Sequence, residues 1–189
     1  IECTSNQVNQ DGGYTFTTPK LFVKKINKLR KKIKLNKSQL FLGGDHLGPL
    51  PWKNNTNETA LKKSINLINN FLNEKFDKIH IDTSIKCKND KFINNEIIFD
   101  RTCKVLNSTI IKKKIENKFL VIGTEVPLSG SDDDKKVIVT SIRNIKNEAL
   151  KFQNLLVGLK FKKKIFALVI EPGMKYMNSS IKKPIFKNF

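Results

Sequence analysis

A chain of 189 residues with 39% hydrophobic and 8% aromatic content can bury one sizeable core, which excludes disorder as the default and sets the expectation of one domain. The formal net charge of +19 points first to nucleic acid, but of the 36 basic residues only Arg30, Arg101 and Arg143 are arginines, and the excess of Lys, Asn and Ile is what AT-rich codons write. A nucleic-acid binder uses arginine for bidentate phosphate and guanine contacts, so nucleic acid is not expected as a partner. Three scattered cysteines without a C-x-x-C pair exclude a disulfide framework and fit a reduced, cytoplasmic setting; with no run of about 18 apolar residues, no membrane is expected either.

The chain opens on Ile1 inside an apolar stretch without a cap or turn before it, so it reads as cut at its beginning. Residues 1–4 form the stub of a strand, followed by the polar run Thr4 to Gln10 and the pair Gly12-Gly13. Residues 19–34 place Leu21, Phe22, Ile26, Leu29 and Ile33 near helical period, with Thr18 as N-cap and Pro19 at the first helical position. Residues 39–43 (QLFLG) read as a short buried strand that ends in Gly44-Asp45-His46-Leu47-Gly48-Pro49. A helix over 57–76 carries Leu61, Ile65, Ile68, Phe71 and Leu72, and residues 78–82 (KIHID) form the next strand. Helices over 95–106 and 139–157 and strands over 119–123 and 165–170 complete the series.

The alternation β, α, β, α, β, α, β, α, β predicts a parallel α/β sheet. No G-x-G-x-x-G follows the first strand, which weakens a doubly wound dinucleotide-binding fold. Lysine runs such as Lys112 to Lys114 and Lys160 to Lys164 read as solvated turns and helix ends.

In parallel α/β proteins, chemistry gathers where the C-terminal ends of strands release the chain. Five strand ends here carry amides, carboxylates or imidazoles. In Asp45-His46 a neutral imidazole suits a divalent metal and the adjacent carboxylate suits general acid–base work; taken alone, such a pair more often merely caps a βα loop. His80 shares a strand face with Asp82 and reads as a satisfied core histidine. Glu125, between Gly123 and Pro127, is either a mouth carboxylate or an ordinary surface one. Gly12-Gly13 and Ser129-Gly130-Ser131 could cradle phosphate but fit tight turns as well.

Five ordered blocks carry a specific resemblance: 1–10 (IECTSNQVNQ) with the glycine pair and Tyr14-Thr15, then 42–49 (LGGDHLGP), 78–84 (KIHIDTS), 122–127 (IGTEVP) and Pro172-Gly173. Together they resemble the signature blocks of the GatZ/KbaZ family, the non-catalytic subunit of class II D-tagatose-1,6-bisphosphate aldolase, along almost the whole chain. The resemblance implies a TIM barrel, here about five βα units of a (β/α)8 barrel. It implies one incomplete domain over 1–189, with the barrel's first part and last strands lying outside the chain. It also implies a sugar-phosphate ligand and a catalytic class II aldolase subunit as partner, which this subunit stabilises or activates.

Some relatives are associated with metal-dependent C4 epimerisation between fructose 6-phosphate and tagatose 6-phosphate. On that alternative His46 is a metal ligand, Asp45 and Glu125 handle protons, and Gln7, Asn9 and Asp82 contact the sugar. The Asp45-His46 pair resembles that of class II aldolases, whose histidine binds zinc. Those enzymes draw further histidines from later strands, whereas this chain has only His46 and His80. A divalent ion, zinc or similar, is thus expected not to be fully ligated by this chain, since a catalytic zinc site usually takes three protein ligands.

Overall fold

The computed structural model describes residues 1–108, 111, 114–123, 141–161, 167–170, 175–177 and 180–182. Five parallel strands, β1 (Glu2–Thr4), β2 (Gly43–Leu47), β3 (Lys78–Ile81), β4 (Phe119–Ile122) and β5 (Ala167–Leu168), lie side by side in chain order. Helices α1 (Pro19–Lys32), α2 (Asn57–Asn73), α3 (Asn95–Asn107) and α4 (Ile142–Gly158) fall in sequence between successive strands. A doubly wound sheet reverses strand order at a switch point, whereas an order of 1-2-3-4-5 is that of a sheet wound in one direction. The architecture is α/β, a five-stranded arc of a (β/α)8 barrel. A short antiparallel pair, β6 (Lys175–Met177) and β7 (Ser180–Lys182), stands apart from that sheet.

Helix starts follow from local chemistry. Thr18 caps α1 by accepting from the Leu21 amide, with Pro19 at the first position as the sequence predicts, and Arg30, Lys31 and Lys32 close its last turn against the helix dipole. Thr56, Asn94 and Ser141 cap α2, α3 and α4 in the same way. The inner face of α2 buries Leu67, Ile68, Phe71 and Leu72, each contributing about 1.5–3 kcal/mol in the bookkeeping of apolar burial.

The register assigns the two faces of the sheet. Cys3, Gly44, Ile79 and Leu120 form one cross-strand row, and its three side chains are buried in the core. The alternate positions, Glu2, Gly43, Lys78 and Phe119, form the row of the opposite face, and there Thr4 pairs with Asp45 and His80 with Val121. The first row packs toward α2, where Gly44 meets the Phe71 ring, so in a barrel the second face is the interior one, and it carries Glu2, Asp45 and Lys78.

One strand departs from the sequence reading. Residues 37–39 form a 3-10 turn and β2 starts only at Gly43, so Asp45 and His46 lie within the strand rather than in the loop after it. Two glycines are poor strand formers by propensity. Here packing overrides propensity: a Cβ at Gly44 would come within 2.6 Å of the Phe71 ring, and one at Gly43 within 2.6 Å of Glu2 Oε1.

Candidate metal centre

Successive residues of a regular strand point to opposite faces, so Asp45 and His46 could not both serve one site on an ideal β2. The strand is not ideal. Gly44 pairs with Ile79 but Leu47 pairs with Ile81, so β2 carries one residue more than β3 across the same stretch. This is a bulge, and His46 within it has φ 48°. A non-glycine residue in that region stores about 1–3 kcal/mol of strain, and such strain collects at functional sites. Its effect is to bring the His46 ring back beside Asp45, with Nε2 3.6 Å from Asp45 Oδ2.

Gly48, just beyond β2, lets the chain run against β3: a Cβ there would overlap the Asp82 carbonyl oxygen. Across this contact His46 Nδ1 lies 2.8 Å from Asp82 Oδ2. Asp82 is held in turn, its Oδ1 accepting from the Ser84 amide at 3.0 Å and the Ser84 hydroxyl at 2.6 Å. Burial acts to raise the Asp82 pKa, but the hydrogen bonds from His46 and Ser84 outweigh it and hold the carboxyl below its ordinary range. An ionised Asp82 accepts only, so His46 carries its proton on Nδ1 and turns the basic Nε2 toward Asp45.

His80 is a buried histidine with its ring satisfied, as the sequence suggests, and it also belongs to the site. Its Nε2 lies 3.1 Å from the Gly123 carbonyl and its Nδ1 2.9 Å from Asp45 Oδ1. The carbonyl fixes a proton on Nε2. That leaves Nδ1 of a neutral ring as an acceptor, approached by the His46 amide at 3.4 Å and facing the Asp45 carboxylate. Two acceptors this close need a cation between them, either a proton or a metal ion. The Asp45 carboxyl lies well below the usual carboxylate range, chiefly through the His80 hydrogen bond, which outweighs burial, with further help from Lys78.

Asp45, His46 and His80 each offer a ligand atom, all within 4.8 Å of one another. Ligands bonded to one ion at about 2.0–2.2 Å sit about 3–4 Å apart, so a small inward shift of these side chains would let all three reach one ion. Each histidine has its other nitrogen engaged by an oxygen acceptor, the arrangement that orients metal-binding imidazoles. The donor set therefore fits a divalent cation. Counting histidines alone underestimates the group, because Asp45 supplies the third donor.

Lys78 completes the cluster from below, its Nζ 2.8 and 2.9 Å from the two Glu2 carboxylate oxygens and 3.1 Å from Asp45 Oδ1. Neither His80 nor Lys78 stands out by residue type. The available signal is the spacing in K-I-H-I-D, which puts Lys78, His80 and Asp82 two apart and so on one strand face.

The β1–α1 loop holds the other expected residues. Gln7 Oε1 accepts from the Thr4 amide at 2.9 Å. Asn9 is buried, donating to the Ser5 carbonyl at 2.8 Å and accepting from the amides of Asp11 and Gly13 at 2.9 and 3.0 Å. The amides of Gly12 and Gly13 thus bond within the loop, at φ 99° and 57°, and the pair forms a tight turn. Glu125, Ser129-Gly130-Ser131 and Glu171-Pro172-Gly173 lie outside the described residues. Among the described residues no helix is long and apolar enough to cross a membrane.

The profile of the family described as D-tagatose-1,6-bisphosphate aldolase subunit GatZ/KbaZ-like matches residues 1–185. Curated relatives include the D-tagatose-1,6-bisphosphate aldolase subunit GatZ of Escherichia coli O1:K1 / APEC and of strain E24377A. Each is 32% identical over 190 aligned positions, covering 96% of this chain and 45% of the relative. Among solved structures, one described as a probable tagatose 6 phosphate kinase from Sinorhizobium meliloti 1021 superposes with a TM-score of 0.77 at 27% identity. That match covers 96% of this chain and 44% of the other. The chain thus spans slightly under half the length of the curated relatives it matches. With the family profile matched along nearly all of it and the fold reproduced by a solved relative, the chain belongs to the GatZ/KbaZ-like family of D-tagatose-1,6-bisphosphate aldolase subunits.

Proposed function

We propose that this chain is part of an accessory subunit of a class II tagatose-1,6-bisphosphate aldolase, acting in cytoplasmic carbohydrate catabolism by binding and stabilising or activating a catalytic partner subunit. The observation that carries this reading is the match over residues 1–185 to a family whose relatives are themselves named as subunits of that aldolase. Within it, the concave face of β2 and β3 supplies the sugar-phosphate side of the assembly. Asp45, His46 and His80 would hold a divalent ion, zinc or similar, which when bound would polarise a sugar oxygen. Asp82 keeps His46 in the tautomer that leaves Nε2 basic. Gln7 lies on the loop that Asn9 braces from within and would contact the sugar, while proton handling by Asp45 and Glu125, in place of metal binding by Asp45, belongs to the second reading.

A second reading, an independent sugar-phosphate 4-epimerase, is favoured by the intact orientation of both histidines. An accessory role alone does not require that orientation. The C3–C4 bond would break and re-form on the opposite face, the proton of the C4 hydroxyl being held by a carboxylate in between and then returned.

Adding the protein to a class II catalytic subunit tests the first reading through co-purification, melting temperature and cleavage rate. Following tagatose 6-phosphate by NMR with and without divalent metal tests the second. Turnover at C4 without a partner establishes the epimerase. No association with the catalytic subunit and no effect on its rate removes the accessory role.

A further inference from the structure

We infer that Lys78, clamped by Glu2 across the gap left by Gly43, is a positioning residue that fixes the Asp45 carboxylate for cation binding. This deepens the metal reading and rests on it. Register places Glu2, Gly43 and Lys78 in one row on three adjacent strands. An ammonium group on β3 and a carboxylate on β1 are two strands apart, about 9–10 Å between backbones, and any side chain on the intervening strand would stand between them. Gly43 supplies none. Glu2 lies over it, so near that a Cβ at Gly43 would meet Glu2 Oε1 at 2.6 Å and Cγ at 2.8 Å.

Lys78 therefore meets three acceptor oxygens with its three protons, at 2.8 and 2.9 Å on Glu2 and 3.1 Å on Asp45. Its side chain is only 18% exposed, and its pKa is raised by the two carboxylates despite the opposing effect of burial. An exposed Lys–Glu pair is worth little by itself. Here the pair acts on a third group: the Asp45 oxygen that Lys78 holds is Oδ1, which also faces His80 Nδ1, and fixing Oδ1 leaves Oδ2 directed at His46 Nε2. Without Lys78 the carboxylate can rotate about its last bond, and the three donor atoms lose their common focus.

The nearby positive charge pulls the other way, since a bare ammonium repels a divalent cation. The two effects therefore give opposite signs in one measurement. Co(II) titrated into the 189-residue chain, read by visible absorption, gives both affinity and ligand geometry. Lys78→Met, which keeps the stem and removes the charge, is expected to weaken Co(II) binding at least about tenfold, the scale of outer-shell contacts to metal ligands, and to alter the absorption band. Glu2→Gln keeps size and one hydrogen bond, and is expected to weaken binding about threefold. The double variant should be no worse than Lys78→Met alone, because both act through Asp45.

Unchanged or tighter binding in Lys78→Met overturns the positioning role while leaving the metal site standing. Absence of Co(II) binding in the unmodified chain overturns the metal reading itself. Should Lys78→Met fail to fold, Glu2→Gln decides: affinity and spectrum equal to those of the unmodified chain overturn the proposal.

Discussion

Replacing Asp82 by Asn changes one atom and tests how the site selects the His46 tautomer. Asp82 Oδ1 accepts two hydrogen bonds from Ser84 while Oδ2 accepts from His46 Nδ1 at 2.8 Å. An asparagine keeps both Ser84 bonds only by leaving its carbonyl oxygen there and turning its NH2 toward His46. The NH2 donates, so the imidazole must accept on Nδ1 and carry its proton on Nε2, the nitrogen that faces Asp45. A protonated Nε2 cannot ligate. The flipped amide restores the tautomer but sets NH2 against the Ser84 amide and loses that bond, while the Ser84 hydroxyl must reverse from donor to acceptor. Either way the site is compromised, and loss of an outer-shell carboxylate is expected to weaken divalent-metal affinity about 10–100-fold, or about 1.4–2.8 kcal/mol. Competition with a chromophoric chelator for Zn(II) measures it, with circular dichroism as a check on folding. Affinity within twofold of the parent, with the fold intact, refutes the argument that Asp82 orients His46.

Other expectations follow from the scaffold. Asp90 and Arg101 form a buried pair at 2.6 Å, and Asp90 also accepts from the Cys87 amide and the Asn57 side chain. Asp90→Ala strands the guanidinium, and urea unfolding should show a loss of about 3–5 kcal/mol; a loss below about 1 kcal/mol counts against a buried pair. Although burial acts to raise it, the Asp90 carboxyl is held below its ordinary value by Arg101 and the amide donors. Its stabilisation is present above the unfolded carboxylate pKa and disappears as pH falls through the lower folded value. The gap between parent and Asp90→Ala should thus be constant from pH 7 to 5 and shrink below about pH 4, and a gap that widens on acidification refutes it.

Gly48→Ala forces β2 and β3 apart beside Asp82. It should cost about 1–3 kcal/mol and abolish metal binding, whereas parent-like affinity shows that the close approach is dispensable. Cys3 is buried and its thiol is pushed up to about 12, first by burial and then by the charges of Asp45 and Glu2. Ellman's reagent at pH 8 should leave Cys3 untouched in the native protein and modify it in urea; rapid native modification contradicts the packing of β1.

The alternation of elements, the cap at Thr18 and the family were legible along the chain, because they depend on local period, capping chemistry and ordered short motifs. The Asp45-His46 pair was legible for the same reason: two reactive groups in consecutive positions are visible in one dimension. The start of β2 was not legible. Leu40, Phe41 and Leu42 look more like a strand than Gly43-Gly44, and only the Phe71 ring and the Glu2 side chain show why glycine is needed there. Nor was the joining of His80 to that pair, because Asp45 faces His80 through strand pairing across 35 positions and shares a side with His46 through a bulge and a positive φ. The Glu2–Lys78 contact spans 76 positions. These features emerge only on folding, because strand register, bulges and the room left by an absent Cβ are relations between distant segments, which no local pattern encodes.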